Sequence, residues 1–153
     1  MSTIKVNNIQ NLSGQINAGK VITIAKYTDY TNVNSTSSSY TTAYTFPNFT
    51  KKYDSSVSSV YGFCSICSLF EGSEQQEWQI VRSSTVVVEI RHKNASISGW
   101  GMHNFPMPFK DTAAPAGNIS YSLQFRVVSY GWYNYPTNYG NGVSHYTLME
   151  VLN

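Results

Sequence analysis

The chain has 153 residues, of which only 12% are charged, against roughly 25% in an average soluble domain, while 14% are aromatic, with 12 Tyr and 3 Trp. Disordered sequences lack such residues, and the length suits one domain with its own core. A net charge of +2 with scattered cations excludes the clustered basic footprint of a nucleic-acid partner, and no apolar run nears the roughly 18 residues that membrane insertion needs.

Residues 1–19 differ from the rest. Thr3-Ile4-Lys5-Val6 alternates briefly, and Asn, Gln, Ser and Gly follow as far as Gly14 and Gly19. The stretch has no helical period and too few large side chains for a core. It is expected to be an extended attachment arm whose Ile4, Val6 and Ile9 borrow another surface; a frayed terminus is the plainer account. From residue 20 to residue 153 strand signals recur with turns between them, as an antiparallel sandwich or barrel requires.

Val21-Ile22-Thr23-Ile24 is expected to be a buried strand. A Ser/Thr/Asn tract, Thr31 to Ser39, separates it from the nearly alternating Tyr40 to Phe46, which Pro47 ends because it cannot donate to a ladder. Lys51 to Ser56 reads as a polar turn and Val57 to Phe70 as a long strand bent at Gly62. Trp78 to Arg82 and Thr85 to His92 are joined at Ser83-Ser84, with Val86, Val88 and Ile90 on one face and Val87, Glu89 and Arg91 on the other. Asn94 to Gly117, with Pro106, Pro108 and Pro115, is expected to be a long irregular connection. Ser120 to Val128 is the clearest strand, Tyr121, Leu123, Phe125 and Val127 pointing one way and Ser122, Gln124 and Arg126 the other. A loop rich in Gly, Asn and Tyr spans Tyr130 to Gly142, and His145 to Leu152 closes the chain. No helix is predicted.

Four constellations bear on chemistry. Cys64-Ser65-Ile66-Cys67 lacks the second ligand pair of a zinc site and the βαβ setting of a redox motif; on a strand its sulfurs point to opposite faces, so two structural cysteines are expected. His92, His103 and His145 show no metal spacing, although a trimer could gather one His from each copy on its axis. Glu71, Glu74 and Glu77 beside Trp78 could form a sugar platform with acids, or simply a solvated hairpin end. The aromatic loop, with Trp132, Tyr133, Tyr135 and Tyr139, could stack on sugar rings or pack against protein. No nucleophile elbow or phosphate-cradling loop is present. No cofactor and no metal are expected, and the chain is expected to bind or build rather than catalyse.

Met1 to Gln10 contains no apolar h-region, so no secretory signal is expected, and the five Asn-x-Ser/Thr sequons, starting at Asn11, Asn34, Asn48, Asn94 and Asn118, reflect composition rather than glycosylation. A charge-poor, Tyr-rich surface suggests contact with other protein.

Several segments resemble a domain of phage fibre and virion-surface proteins, particularly those of marine phages. Ser2 to Gly14 is similar to the IKV-x-x-IQ-N-x-SG start of that group, and Lys20-Val21-Ile22 to its first sandwich strand. The Ser/Thr tract leading to Tyr40-Thr41 is similar to its second strand. Phe46 to Val60 resembles its ITP-x-x-x-SSKILV stretch, with Val57-Ser58-Ser59-Val60 departing from it, and Trp78 to Ser83 its KLLRNG hairpin. Ile119 to Val127 is similar to ITYKVQFRV, and Ser144 to Val151 to SHITLMEI. The resemblance covers most of the chain through short motifs. It implies a jelly-roll-like sandwich, usually trimeric, with the arm tied to the particle or to a fibre shaft; no binding residue carries over.

The expectation is therefore an all-β protein, an antiparallel jelly-roll-like β-sandwich over residues 20–153 with an N-terminal arm over residues 1–19. Its expected role is that of a non-enzymatic bacteriophage virion surface protein, a short head or tail fibre or a capsid decoration knob. It would be a homotrimer attached to capsid or tail proteins, made in the host cytoplasm and displayed on the virion. The alternative is a carbohydrate-binding, lectin-like module that recognises a host-surface glycan. A glycan-cleaving enzyme is a third and more distant reading.

Overall fold

From Tyr121 to Val127 the side chains of Tyr121, Leu123, Phe125 and Val127 are buried and those of Ser122, Gln124 and Arg126 half-buried. Successive residues of an extended chain point to opposite sides, so this alternation lays one face on a core. The same logic recurs along the chain. The computed structural model describes residues 18–71, 75–93, 100–128, 135–136 and 142–153, and among them every helix or strand assignment is a strand.

The strands are β1 (Val21–Asp29), β2 (Asn34–Ser35), β3 (Thr41–Thr45), β4 (Phe49–Lys51), β5 (Ser58–Glu71), β6 (Gln75–Arg82), β7 (Thr85–Lys93), β8 (Trp100–Asp111), β9 (Gly117–Ile119), β10 (Tyr121–Val127), β11 (Tyr135–Pro136) and β12 (Ser144–Leu152). Two four-stranded sheets form the body, in the orders β1-β12-β5-β8 and β3-β10-β6-β7, and two ribbons, β2–β11 and β4–β9, lie beside them. Every pairing is antiparallel. With the ribbons set aside, the eight long strands run 1-8-3-6 in one sheet and 2-7-4-5 in the other, which is the double Greek key of a jelly roll. The fold is a jelly-roll β-sandwich.

Its core lies between the sheets. Trp78 stacks on Phe125 at 4.9 Å between ring centroids and meets Phe105 of the opposite sheet edge-on at 5.4 Å. Tyr44 stacks on Tyr146, also across the sandwich, at 4.9 Å. The ring of Phe109 occupies the place where a Cβ at residue 62 would sit, 1.9 Å away, so only glycine fits there. β5 keeps its register with both neighbours through Gly62, where the glycine serves close packing.

Two buried carboxylates tie the strands together. Asp111 of β8 accepts from Arg82 Nε at 2.7 Å and from the Tyr121 hydroxyl at 3.0 Å, linking the two sheets. Glu150 of β12 accepts from the backbone N–H groups of Lys52 and Tyr53, at 2.8 and 2.9 Å, and from the Ser58 hydroxyl at 2.7 Å.

Several sequence expectations are corrected. The stretch read as irregular holds the twelve-residue β8. Prolines obscured it, yet β8 is an edge strand, and Pro106 and Pro108, two residues apart, turn their donor-less nitrogens to the same open edge. Val21-Ile22-Thr23-Ile24 is not buried as a run: Val21 and Ile24 face outward, because β1 is covered by the core on one side only. A bulge opposite Ile80 and Val81 places Val87 as the extra residue, so Val86 leaves the face of Val88 and Ile90 and stands exposed. Lys51 belongs not to a polar turn but to β4, buried, its ammonium donating to the Tyr53 carbonyl.

Candidate functional site

Among the described residues, four of the eight exposed large apolar side chains, Val21, Ile24, Phe63 and Met102, lie on the outer face of the β1-β12-β5-β8 sheet. Strand register arranges this face in rows. One row is Thr28, His145, Ser65 and Pro106; the next is Lys26, Thr147, Phe63 and Pro108; the third is Ile24, Met149, Tyr61 and Lys110. Val21 and Val151 extend it at one end, and Met102 of β8 lies toward the other. Phe63 at 53%, Ile24 at 56% and Met102 at 45% are exposed to a degree unusual for such large apolar groups. A shallow depression of about 470 Å³ lies over Phe63, between Pro106, Pro108, His145 and Thr147.

Both cations here, Lys26 and Lys110, stand on the edge strands. The Lys110 ammonium sits 5.1 Å from the centre of the Tyr61 ring, its stem spread over the sheet. Among the described residues of these rows there is no carboxylate.

The outer face of the β3-β10-β6-β7 sheet is built differently. Its rows are Arg126, Glu77 and Arg91, then Gln124, Gln79 and Glu89. Glu77, only 1% exposed, pairs with both arginines: Arg126 Nε lies 2.6 Å from it, Arg91 Nε 2.7 Å. Burial alone would push the Glu77 carboxyl up, but the two guanidinium groups outweigh it and hold it below the ordinary carboxylate range. Gln79 donates to Gln124 at 2.7 Å. The Arg126 guanidinium covers the ring of Tyr40 at 4.7 Å, and burial with the Glu89 carboxylate pushes the Tyr40 phenol up to about 12. On this face Glu77, Arg91 and Arg126 pair with one another and Gln79 with Gln124, while Val86 stands exposed.

No family model matches the chain, and no curated protein matches it.

The residues singled out in the sequence fall in several places. Ile4, Val6 and Ile9 of the arm, and Trp132, Tyr133 and Tyr139 of the aromatic loop, lie outside the described residues. The backbone of Tyr135 is described: β11 pairs it with Ser35, so the aromatic loop and the Ser/Thr tract meet in one ribbon, and β11 lies against β5. Trp78 is no sugar platform. It is fully buried, its indole N–H donating to Gln76 Oε1 at 3.1 Å, and neighbouring Glu77 points to the opposite face as an ion-pair centre rather than a solvated acid.

Cys64 points into the core and Cys67 to the other side of β5; both are buried and neither is in a disulfide. Burial pushes the Cys64 thiol up to about 12 and raises that of Cys67 as well. His92 stacks on Phe105 at 4.7 Å, with His103 at 6.3 Å; burial and the nearby imidazole lower the His92 pKa. His145 sits apart from both, on the outer face.

Sequence reasoning missed the apolar outer face. Its signal is present in β12, where Met149 and Val151 alternate with Tyr146, Leu148 and Leu152, leaving apolar groups on both sides of one strand. A strand with one wet face alternates as β10 does; apolar residues on both faces point to cover on both.

Proposed function

We propose that this chain is a non-enzymatic surface protein of a bacteriophage particle, a compact knob on a short head or tail fibre or a capsid decoration. It is a homotrimer, held to capsid or tail proteins by the segment before β1. The observation that carries the reading is the strand order, 1-8-3-6 against 2-7-4-5, an eight-stranded jelly roll of the kind used in viral capsid and lectin domains. The resemblance of Ser2 to Gly14, Ile119 to Val127 and Ser144 to Val151 to phage virion-surface domains points the same way. So does the economy of charge: Asp111, Glu77 and Glu150 each serve as structural ties.

The proposed division of labour gives attachment to the segment before β1 and leaves the core to the sandwich. Gly19 N donates to the Leu152 carbonyl at 2.8 Å and Leu152 N to the Lys20 carbonyl at 3.0 Å, so the chain joins the sheet just before β1. Extended segments gain affinity by adding main-chain hydrogen bonds to another sheet or along neighbouring chains. Deletion of Met1 to Gly14 is expected to leave β-type circular dichroism unchanged and the melting temperature only slightly lower, while abolishing incorporation into particles. A truncated chain that fails to fold makes the segment part of the sandwich; one that still incorporates puts the anchor elsewhere.

A further inference from the structure

One edge of the sandwich is closed by a pair of histidines. β7 and β8 are edge strands, one from each sheet; they run close to each other but are not hydrogen-bonded neighbours, so side chains join them. His92 and His103 stand on the inner sides of these strands, in the same alternation as Ile90 and Phe105, and both are half-buried. Their rings lie 6.3 Å apart, and His92 is stacked flat on Phe105 at 4.7 Å. Phe105 meets Trp78, whose indole N–H is held by Gln76. Gln76 also bridges the sheets here, accepting from the Ser68 hydroxyl at 3.1 Å and donating to the Leu69 carbonyl at 3.0 Å.

The groups that face His92 are Gln76 of β6, opposite it in the register, and Phe105 and His103 of β8, with Ser68 of β5 opposite His103. On its own strand Arg91 turns to the outer face, toward Glu77. Among the described residues no carboxylate stands on the inner rows around the pair. A single proton is tolerated, since a cation over a ring face is attracted to it. A second proton sets two like charges at close range in a half-buried site, where repulsion exceeds that attraction. Burial first, and then His103, hold His92 below its ordinary value of 6.5. A histidine depressed in the closed form contributes stability that is complete above the ordinary value and is lost as pH falls through the depressed one.

We propose that the seam between β7 and β8 is an acid-operated latch: neutral histidines close it, and protonation of both His92 and His103 parts the two edge strands at that end. Parting them breaks the Gln76 bridge and uncovers Phe105 and Trp78, which neutral pH keeps buried. His145, on the outer face of the other strands, takes no part.

Hydrogen exchange of the full chain at pH 7.5 and pH 5.5, corrected for the intrinsic pH dependence of exchange, reads the latch strand by strand. Protection in β7 and β8 should fall about tenfold at the lower pH, the effect of one proton over one pH unit below the ordinary value, while protection in β1 and β12 holds. His92→Phe keeps a ring on Phe105 that cannot charge, and there the fall should vanish; His103→Phe should behave likewise. His145→Gln should respond as the wild type does. Unchanged protection of β7 and β8 in the wild type overturns the latch, and so does an undiminished fall in a folded His92→Phe. Should one of the two Phe variants lose its fold, the other decides.

Discussion

The two outer faces of the sandwich show how one fold can leave one surface finished and the other unfinished. Both belong to four-stranded antiparallel sheets, and both back onto the same core. On one, Glu77 gathers Arg91 and Arg126, and Gln79 binds Gln124, so polar groups answer one another within the chain. On the other, Phe63, Ile24 and Met102 remain exposed, and among the described residues of the rows that hold Lys26 and Lys110 there is no carboxylate. Inner faces determine whether the jelly roll forms; the outer faces determine what it meets.

The largest expected effect separates inside from outside within one residue type. Phe125→Ala, at a fully buried position stacked on Trp78, should lower the unfolding free energy by about 3–5 kcal/mol, measured by urea denaturation. The same truncation at Phe63, half exposed, should change it by less than about 0.5 kcal/mol. Equal losses at the two positions would erase the distinction between core and patch.

Gly62→Ala comes next. Its methyl group would meet the Phe109 ring, and a repacking cost of about 1–3 kcal/mol should appear in the same denaturation experiment. A neutral result would mean that Phe109 swings aside freely, which the tight core denies.

Acid should then loosen both sheets through their buried carboxylates. Desolvation raises the carboxyl of Glu150, but the bonds from Lys52 N, Ser58 Oγ and Tyr53 N, with Lys51 nearby, bring it below its ordinary value of 4.5; Glu77 is lowered as well. A carboxyl depressed in the folded state contributes stability that is complete above the unfolded value and is lost as pH falls through the folded one. The carboxylate contribution to the melting temperature should therefore hold above about pH 4.5 and decline below it. In Glu150→Gln that decline should be shallower, and an unchanged acid profile would remove Glu150 from the account.

The smallest effect sharpens the comparison along a single strand. Cys67 and Phe63 both lie on the outer side of β5, yet Cys67 is buried and Phe63 is not. Both thiols should be inert to a thiol reagent in the native state and react only on unfolding, and elemental analysis should find no stoichiometric zinc. Rapid labelling of Cys67 would show that the open part of the face extends further than described.

Much of the fold was legible from local pattern. β10 declared itself because polar and apolar residues alternate without a fault, and β12 because large apolar residues recur at Tyr146, Leu148 and Leu152. β8 did not, since Pro106 and Pro108 argue against a strand unless one knows that it lies at an edge. The exposure of Ile24 was equally hidden: burial of a strand depends on what covers each face, and periodicity cannot report a missing neighbour. The patch itself is made by register among β1, β12, β5 and β8, strands drawn from both ends and the middle of the chain. No window of sequence contains it.

Cryo-electron microscopy of particles carrying the chain tests the central claim most directly. Threefold jelly-roll knobs should project from shell or tail. Particles that lack the chain, or that carry it as single copies, would contradict the virion-knob reading.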